Sequence, residues 1–202
     1  MSELEVKPTP APKKRKGRIF LFILLALVLA GGTFTWYSIQ EYKKGEAAKT
    51  AAKAEADYKL ALELATIQYI GLAASAEGMS NTYTDVWHTA IFDDSVTIND
   101  KKYYDFNSAL EAQRQAFNKS GELKVIEDQT TELEKTIKGM ANPPEKYKEV
   151  YQLLVDGYPI VKRFADQASS PSGSYDSYSD EIAELDAEVL KHYDKLKIYL
   201  PE

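Results

Sequence analysis

The sequence predicts an all-α protein: one N-terminal transmembrane helix, a helical stalk, and an antiparallel four-helix-bundle-like extracytoplasmic domain. Three observations carry this expectation. Residues 19–40, IFLFILLALVLAGGTFTWYSIQ, contain no charged side chain. From Tyr58 to Ala90, apolar residues recur in alternating steps of four and three, the spacing of one helical face. Beyond Asp93-Asp94, three further apolar stripes follow, separated by Asn142-Pro143-Pro144 and by a serine-rich stretch. The 202 residues thus divide into a basic disordered tail (1–18), a membrane helix (19–40), a stalk (41–57) and a bundle (58–202).

The membrane helix rests on length and polarity. Ile19 to Tyr37 is an almost unbroken apolar stretch, and as a helix it spans roughly 28 Å, close to the ~30 Å hydrocarbon core of a bilayer. A buried helix of a water-soluble protein normally shows a polar face, and Ile19 to Ala30 offers none. Lys7, Lys13, Lys14, Arg15, Lys16 and Arg18 precede the run, whereas Lys43, Lys44, Lys49 and Lys53 follow it, dispersed among Glu41 and Glu46. The denser basic cluster belongs in the cytoplasm, which leaves residues 41–202 outside and sets Trp36 and Tyr37 at the outer interface. Leu29-Ala30-Gly31-Gly32 has the outline of a lipobox with glycine where the acylated cysteine belongs, so lipidation there is chemically impossible. No good A-x-A site precedes the break to favour cleavage. The tail, with Pro8, Pro10 and Pro12, is too short and too proline-rich to fold.

The stalk, EYKKGEAAKTAAKAEADYK, is rich in good helix formers, with Gly45 as its weak point. The first bundle helix turns Tyr58, Leu62, Ala65, Tyr69, Leu72, Ala76, Met79, Tyr83, Val86 and Ala90 inward, and Leu60, Leu64 and Ile67 are expected to widen that stripe into a bundle core. Residues 95–104 read as a loop or small hairpin about Asn99-Asp100. Asp105 caps a second helix from near Phe106, with Leu110 and Phe117 inward. Asn118 to Gly121 are a candidate interruption, after which Leu123, Ile126, Thr130, Leu133, Ile137 and Met140 resume the stripe. A third helix starts at about Pro144 and continues to Ala168, kinked rather than ended by Pro159 because the apolar period persists on both sides. Ser169 to Ser179 form a turn-rich connection, and Ser179 or Asp180 caps the last helix, with Ile182, Leu185, Val189, Tyr193, Leu196 and Leu200 inward.

Composition narrows the chemistry. Lys and Arg number 25 against 31 Asp and Glu, a net charge of -6, with two His and no Cys. Disulfides, zinc-thiolate sites, iron-sulfur clusters and a cysteine nucleophile are therefore excluded. The tail alone carries +4, so residues 41–202 carry -10, and nucleic acid is a poor partner for such a surface. His88 and His192 lack the H-x-x-x-H and HExxH spacings of a metal site. Asp93, Ser95, Thr97 and Asn99 alternate like calcium ligands, but Ile98 stands where glycine is needed and Tyr104 where the bidentate Glu belongs. Ser172-Gly173-Ser174 lacks the G-x-S-x-G frame, and helix carboxylates such as Glu132 and Glu134 lack paired E-x-x-H motifs. No catalytic residue, metal ligand or cofactor is predicted, and the chain is expected not to be an enzyme.

Tyrosine is the unusual feature, with 14 in all and 13 beyond the apolar run. Tyr58, Tyr69, Tyr83, Tyr147, Tyr151, Tyr158 and Tyr193 fall on inward stripes, where amphipathic rings fill a core and send hydroxyls to its edge. Tyr103, Tyr104, Tyr175 and Tyr178 are expected in loops. Trp87, Tyr103, Tyr104, Tyr158, Tyr175 and Tyr178 form the candidate partner or ligand surface, because Tyr and Trp suit binding surfaces for the same physical reason. NPPEKYKEVYQLL from Asn142 to Leu154, then PSGSYDSYS and a final helix ending KLKIYLP, resembles the carboxyl-terminal part of uncharacterised helical ectodomains of Gram-positive bacterial envelope proteins. The resemblance implies a bundle at the bacterial surface and no activity. The expected function is that of a single-pass envelope protein, held in lipid by residues 19–40, whose acidic ectodomain contacts a membrane or cell-wall protein or the wall itself. The alternative is an extracytoplasmic sensor for a small ligand or peptide, acting through a membrane partner.

Overall fold

In the computed structural model the backbone is described for residues 16–199 and side-chain surroundings for residue 41 and residues 43–199. The side chains of the predicted span at 19–40 and of the tail lie outside that set, and among the residues whose side chains are described no helix is long and apolar enough to cross a membrane. Two compact units divide the chain, Met1–Lys53 and Ala54–Glu202. Helix α1, Lys16–Phe92, begins in the first and ends in the second. The second unit is mostly helical, and α1 is joined there by a two-stranded hairpin and four more helices.

The four-three stripe of α1 packs inward as its spacing requires. Leu62, Ala65, Tyr69, Leu72, Ala76, Met79 and Tyr83 are buried in the main core, and Val86 and Ala90 in a smaller cluster with Ile98 and Ala109. The widening of the stripe is a correction. Leu60, Leu64 and Ile67 are exposed, and the inward face broadens instead through Thr66, Ala73, Ser80 and Trp87, a row spaced by sevens on the opposite side. Thr66 is admitted to the interior because its hydroxyl donates to the Leu62 carbonyl one turn earlier, at 2.9 Å.

Strands β1 (Val96–Ile98) and β2 (Lys101–Tyr103) pair antiparallel about Asn99-Asp100, which both take positive φ, +48° and +63°. This is the left-handed two-residue loop that matches strand twist, and Asn and Asp tolerate it. Helix α2 (Phe106–Ser120) is capped as expected by Asp105, whose carboxylate accepts from the Ser108 amide at 2.8 Å. Gly121, at φ +87°, then ends α2 and starts α3 (Glu122–Gly139), so the second predicted segment is two helices.

After Pro143-Pro144 the chain makes a 3-10 turn, Glu145–Tyr147, and α4 proper runs Lys148–Ser169. The predicted start at Pro144 is thus displaced, because the Tyr147 amide reaches back only to the Pro144 carbonyl, at 2.8 Å. Helix α4 continues through Pro159 and buries Val150, Leu154, Gly157, Val161, Phe164, Ala165 and Ala168. Helix α5 (Tyr175–Lys197) starts earlier than predicted. Ser174, not Ser179 or Asp180, is the cap: the Ser177 amide donates to Ser174 Oγ at 3.2 Å and the Ser174 amide to Ser177 Oγ at 2.9 Å, a reciprocal capping box. Tyr175 and Tyr178 are consequently helical rather than in a loop. Ile182, Leu185, Val189 and Leu196 are buried, Tyr193 is half-buried, and Leu200 lies outside the described residues.

At Gly157 α4 lies close against side chains of α1 and α5. A Cβ there would lie 2.8 Å from the His192 ring and 3.3 Å from that of Tyr69. Overpacking costs about 1–3 kcal/mol, against about 1 kcal/mol gained when alanine replaces a helical glycine. Gly157→Ala is expected to lower stability in urea unfolding, and the same change in a His192→Ala background to raise it by up to about 1 kcal/mol. Burial, reinforced by Lys195 and Lys191 and opposed by Asp156 and Glu188, holds the His192 imidazole below its ordinary 6.5. The unfolded chain therefore binds that proton at higher pH than the folded one, and stability should fall as pH drops through about 6.5. Asp105 and Glu111, held below the usual carboxylate range by hydrogen bonds, lose their contribution only in more acidic solution. Denaturation midpoints between pH 7.5 and 5.5 check this, and His192→Gln should flatten the decline.

Candidate functional site

Three helix ends converge beside the hairpin. Helix α1 stops at Phe92, where Asp94 turns the chain at positive φ and Ser95 donates its amide to the Asp93 carbonyl at 2.7 Å. Helix α2 starts at Phe106 on the Asp105 cap, and α5 starts at Tyr175 on the Ser174 box after Gly173, whose φ is +94°. Between them lies a recess of about 420 Å³ lined by Trp87, Ile91, Phe92, Phe106, Tyr175 and Asp176, together with Gly173 and Ser174.

Aromatic rings build its walls and floor. Trp87 is almost fully buried and stacks near-parallel to Phe106 at 6.3 Å, with Tyr175 edge-on at 6.5 Å and Tyr178 behind it at 5.7 Å. His88 lies 4.6 Å from the Phe92 ring and 5.8 Å from that of Tyr175. Phe92 is 62% exposed and Phe106 39%. Large rings left in water at the meeting point of three helix ends form an apolar patch that the core does not use.

The electrostatics are one-sided. Asp176 lines the recess, Asp93 and Asp94 follow Phe92, and Asp105 precedes Phe106. No Lys or Arg lines it, and among the described residues Asp93, Asp94 and Asp176 have no ion-pair partner. The last turn of α1 contains no basic residue, so two aspartates follow the negative end of that helix uncompensated.

The structure therefore brings three predicted residues together, Trp87, Tyr175 and Tyr178: Trp87 and Tyr175 line the recess, and Tyr178 is buried behind Trp87. Burial pushes the Tyr178 phenol up to about 12, with the neighbouring Ser80 hydroxyl opposing the shift. Tyr103 and Tyr104 go elsewhere. Tyr103 packs half-buried on the small cluster of Val86, Ala90, Ile98 and Ala109, with Lys101 Nζ 5.0 Å from its ring centre, and Tyr104 is 74% exposed on the hairpin. Tyr158 lines a separate polar groove of about 490 Å³ with residues of α3 and α4, among them Glu134, Lys162 and Asp166; burial and the Glu134 carboxylate push its phenol up to about 12. Phe92, Phe106, Ile91 and Asp176 are not among the site residues the sequence predicts, although all four sit in the first or last turn of a helix. The alternation of Asp93, Ser95, Thr97 and Asn99 is that of β1 entering its turn, and among the described residues no group of three His, Asp or Glu could hold a metal ion.

No family model, curated protein or solved structure matches this chain.

Buried and exposed residues of the recess differ in a way mutation can read. Trp87→Ala should cost about 3–5 kcal/mol in urea unfolding because it empties a buried site. Phe92→Ala, at an exposed position, should cost no more than about 0.5 kcal/mol.

Proposed function

We propose that the chain is a non-enzymatic single-pass envelope protein whose acidic helical domain contacts a membrane or cell-wall partner through the recess beside the hairpin. In this reading residues 19–40 hold the chain in lipid, residues 41–57 are a stalk, and the domain is an antiparallel four-helix-bundle-like unit in which α2 and α3 together act as one broken rod. The observation that carries the proposal is the pair of exposed rings Phe92 and Phe106, with half-buried Tyr175, around a cavity lined by the unpaired Asp176 and with Asp93 and Asp94 next in sequence to Phe92. Burying those rings against a partner removes apolar surface from water, and a basic partner would relieve the negative charge gathered there. The charge asymmetry about the apolar run supports the topology, and the resemblance of the segment from Asn142 onward to Gram-positive ectodomains supports the location.

Two measurements test this. Protease added to intact cells should digest residues 41–202 while leaving the basic tail protected; the reverse pattern refutes the topology. A photo-crosslinking residue at Phe92 should give a discrete adduct in intact cells, and one at exposed Thr131 on α3 should not. Equal labelling from both positions refutes the recess as the contact. The recess also keeps a sensor reading open to test: a small molecule that raises the melting temperature, with the effect lost in Phe92→Ala, favours it over a macromolecular partner.

A further inference from the structure

Helix α1 shows water a face that does not look solvated. Leu60 is 66% exposed, Leu64 48% and Ile67 66%, and the row continues through Gly71, Ala74 and Gly78, so that steps of four and three alternate along the side opposite the core. Val125, 49% exposed on α3, lies across a shallow cleft from Ala74 and Gly78 and extends the apolar surface. From Leu60 to Asp100 the sequence contains no Lys or Arg. The outer faces of α2 to α5 are otherwise: Glu111–Arg114, Lys124–Asp128, Glu134–Lys138, Lys162–Asp166 and Asp194–Lys197 pair along them. A solvated helix face carries such pairs; along the α1 row only Lys59–Glu63, at its N-terminal edge, forms one, and the heptad row of apolar residues beyond it is a seam.

We propose that this seam pairs two copies of the chain through α1, side by side, parallel and in register. A single helix repeating at four and three matches itself: Leu60, Leu64 and Ile67 meet their own counterparts, and Gly71, Ala74 and Gly78 let the backbones approach closely. Charge selects the orientation. The only carboxylates flanking the seam between Leu60 and Gly78 are Glu63 and Glu77. In the parallel pairing Glu77 faces Thr82, and Glu63, 3.9 Å from Lys59 of its own helix, faces Gln68 of the second copy, so no like charges meet; an antiparallel pairing over the same residues sets Glu63 against Glu77. The patch amounts to roughly a few hundred Å² of apolar surface, enough to mark a contact but below the about 800 Å² per partner of a free-standing complex. The pair therefore depends on confinement, which the proposed anchor at residues 19–40 supplies by raising effective concentration and aligning both copies. The inference rests on that anchor, and the test reads the two separately.

The chain has no cysteine, so an introduced one is unique. Full-length Leu64→Cys and Ala74→Cys, reconstituted in phosphatidylglycerol/phosphatidylethanolamine vesicles and oxidised mildly, should form disulfide-linked dimers, whereas Gln152→Cys on the exposed face of α4 should stay monomeric. Adding Leu60→Glu and Ile67→Glu to Ala74→Cys should cut the linked fraction at least fivefold with helicity by circular dichroism unchanged, since both positions are exposed. Vesicle flotation reads the anchor independently. Flotation without crosslinking at the seam, or with crosslinking equal at Gln152→Cys, overturns the pairing and leaves the anchor standing. Absence of flotation overturns the anchor, and the same variants at several hundred µM in solution then decide the pairing: seam-selective crosslinks support it, and none overturns it.

Discussion

The inward face of α1 between Leu62 and Trp87 is the surface on which the other helices of the domain are assembled. Leu62, Tyr69, Leu72, Ala76, Met79, Tyr83 and Trp87 share one buried cluster with Phe117 of α2, Leu133 of α3, Leu154 and Phe164 of α4, and Tyr178 and Leu185 of α5. Burying an aliphatic or aromatic side chain of this size stabilises by about 1.5–3 kcal/mol. The exposed ion pairs along the outer faces are each worth about 0–1 kcal/mol. Stability therefore resides in the stripe, and the charged faces mainly keep the helices soluble and separate.

That apolar core also encloses several hydroxyls. Tyr69, Tyr83 and Tyr178 are fully buried with Ser80, and their hydroxyls have no hydrogen-bond partner among protein groups. Burial pushes the Tyr83 phenol up to about 12. Tyr58 instead places its phenol at the margin, where the ring stacks on Tyr147 at 5.1 Å and the hydroxyl donates to the Met140 carbonyl at 3.3 Å. Rings of this kind bury as much area as a phenylalanine, but each wants its oxygen in one place. Sliding α5 by a turn against α1 would move the Tyr178 ring out of its packing against Trp87, so the shape of these rings favours one register while their unpaired hydroxyls cost stability.

What the sequence made legible follows from the range of the forces involved. The α1 stripe could be read because its period persists from Tyr58 to Ala90, long enough for spacing alone to define a face. The caps at Asp105 and the break at Gly121 were visible because capping is local. The start of α5 was misplaced because several serines compete from Ser169 onward, and Ser177 in place of the usual Glu completes the box only when the backbone closes on it. The width of the core failed for a different reason. A hydropathy reading ranks Leu60, Leu64 and Ile67 above Thr66 and Ser80, yet the helix satisfies Thr66 through its own carbonyl and turns the leucines outward. The recess was half legible: Trp87 and the two tyrosines of α5 stood out by type, but Phe92 and Phe106 become neighbours only because the hairpin folds the chain back.

The misread leucines and the unread phenylalanines share a cause. Periodicity identifies which residues leave water, not what they meet when they do. On α1 the row at Leu62 meets its own chain and is accounted for in the folded domain. The row at Leu60 has the same spacing and a similar composition on the other side of the same helix, but no part of the domain covers it. A helix with two such rows has more apolar surface than one bundle can bury, and that surplus is costly in an isolated domain because it favours nonspecific association. The absence of Lys and Arg from Leu60 to Asp100 is consistent with this, since basic residues on that face would solvate the surplus, whereas the other helices carry them freely. The seam and the ring-lined recess thus draw on one helix, and what distinguishes them is charge: the seam is nearly uncharged and suits a copy of itself, while the recess is edged by aspartates and suits a basic surface.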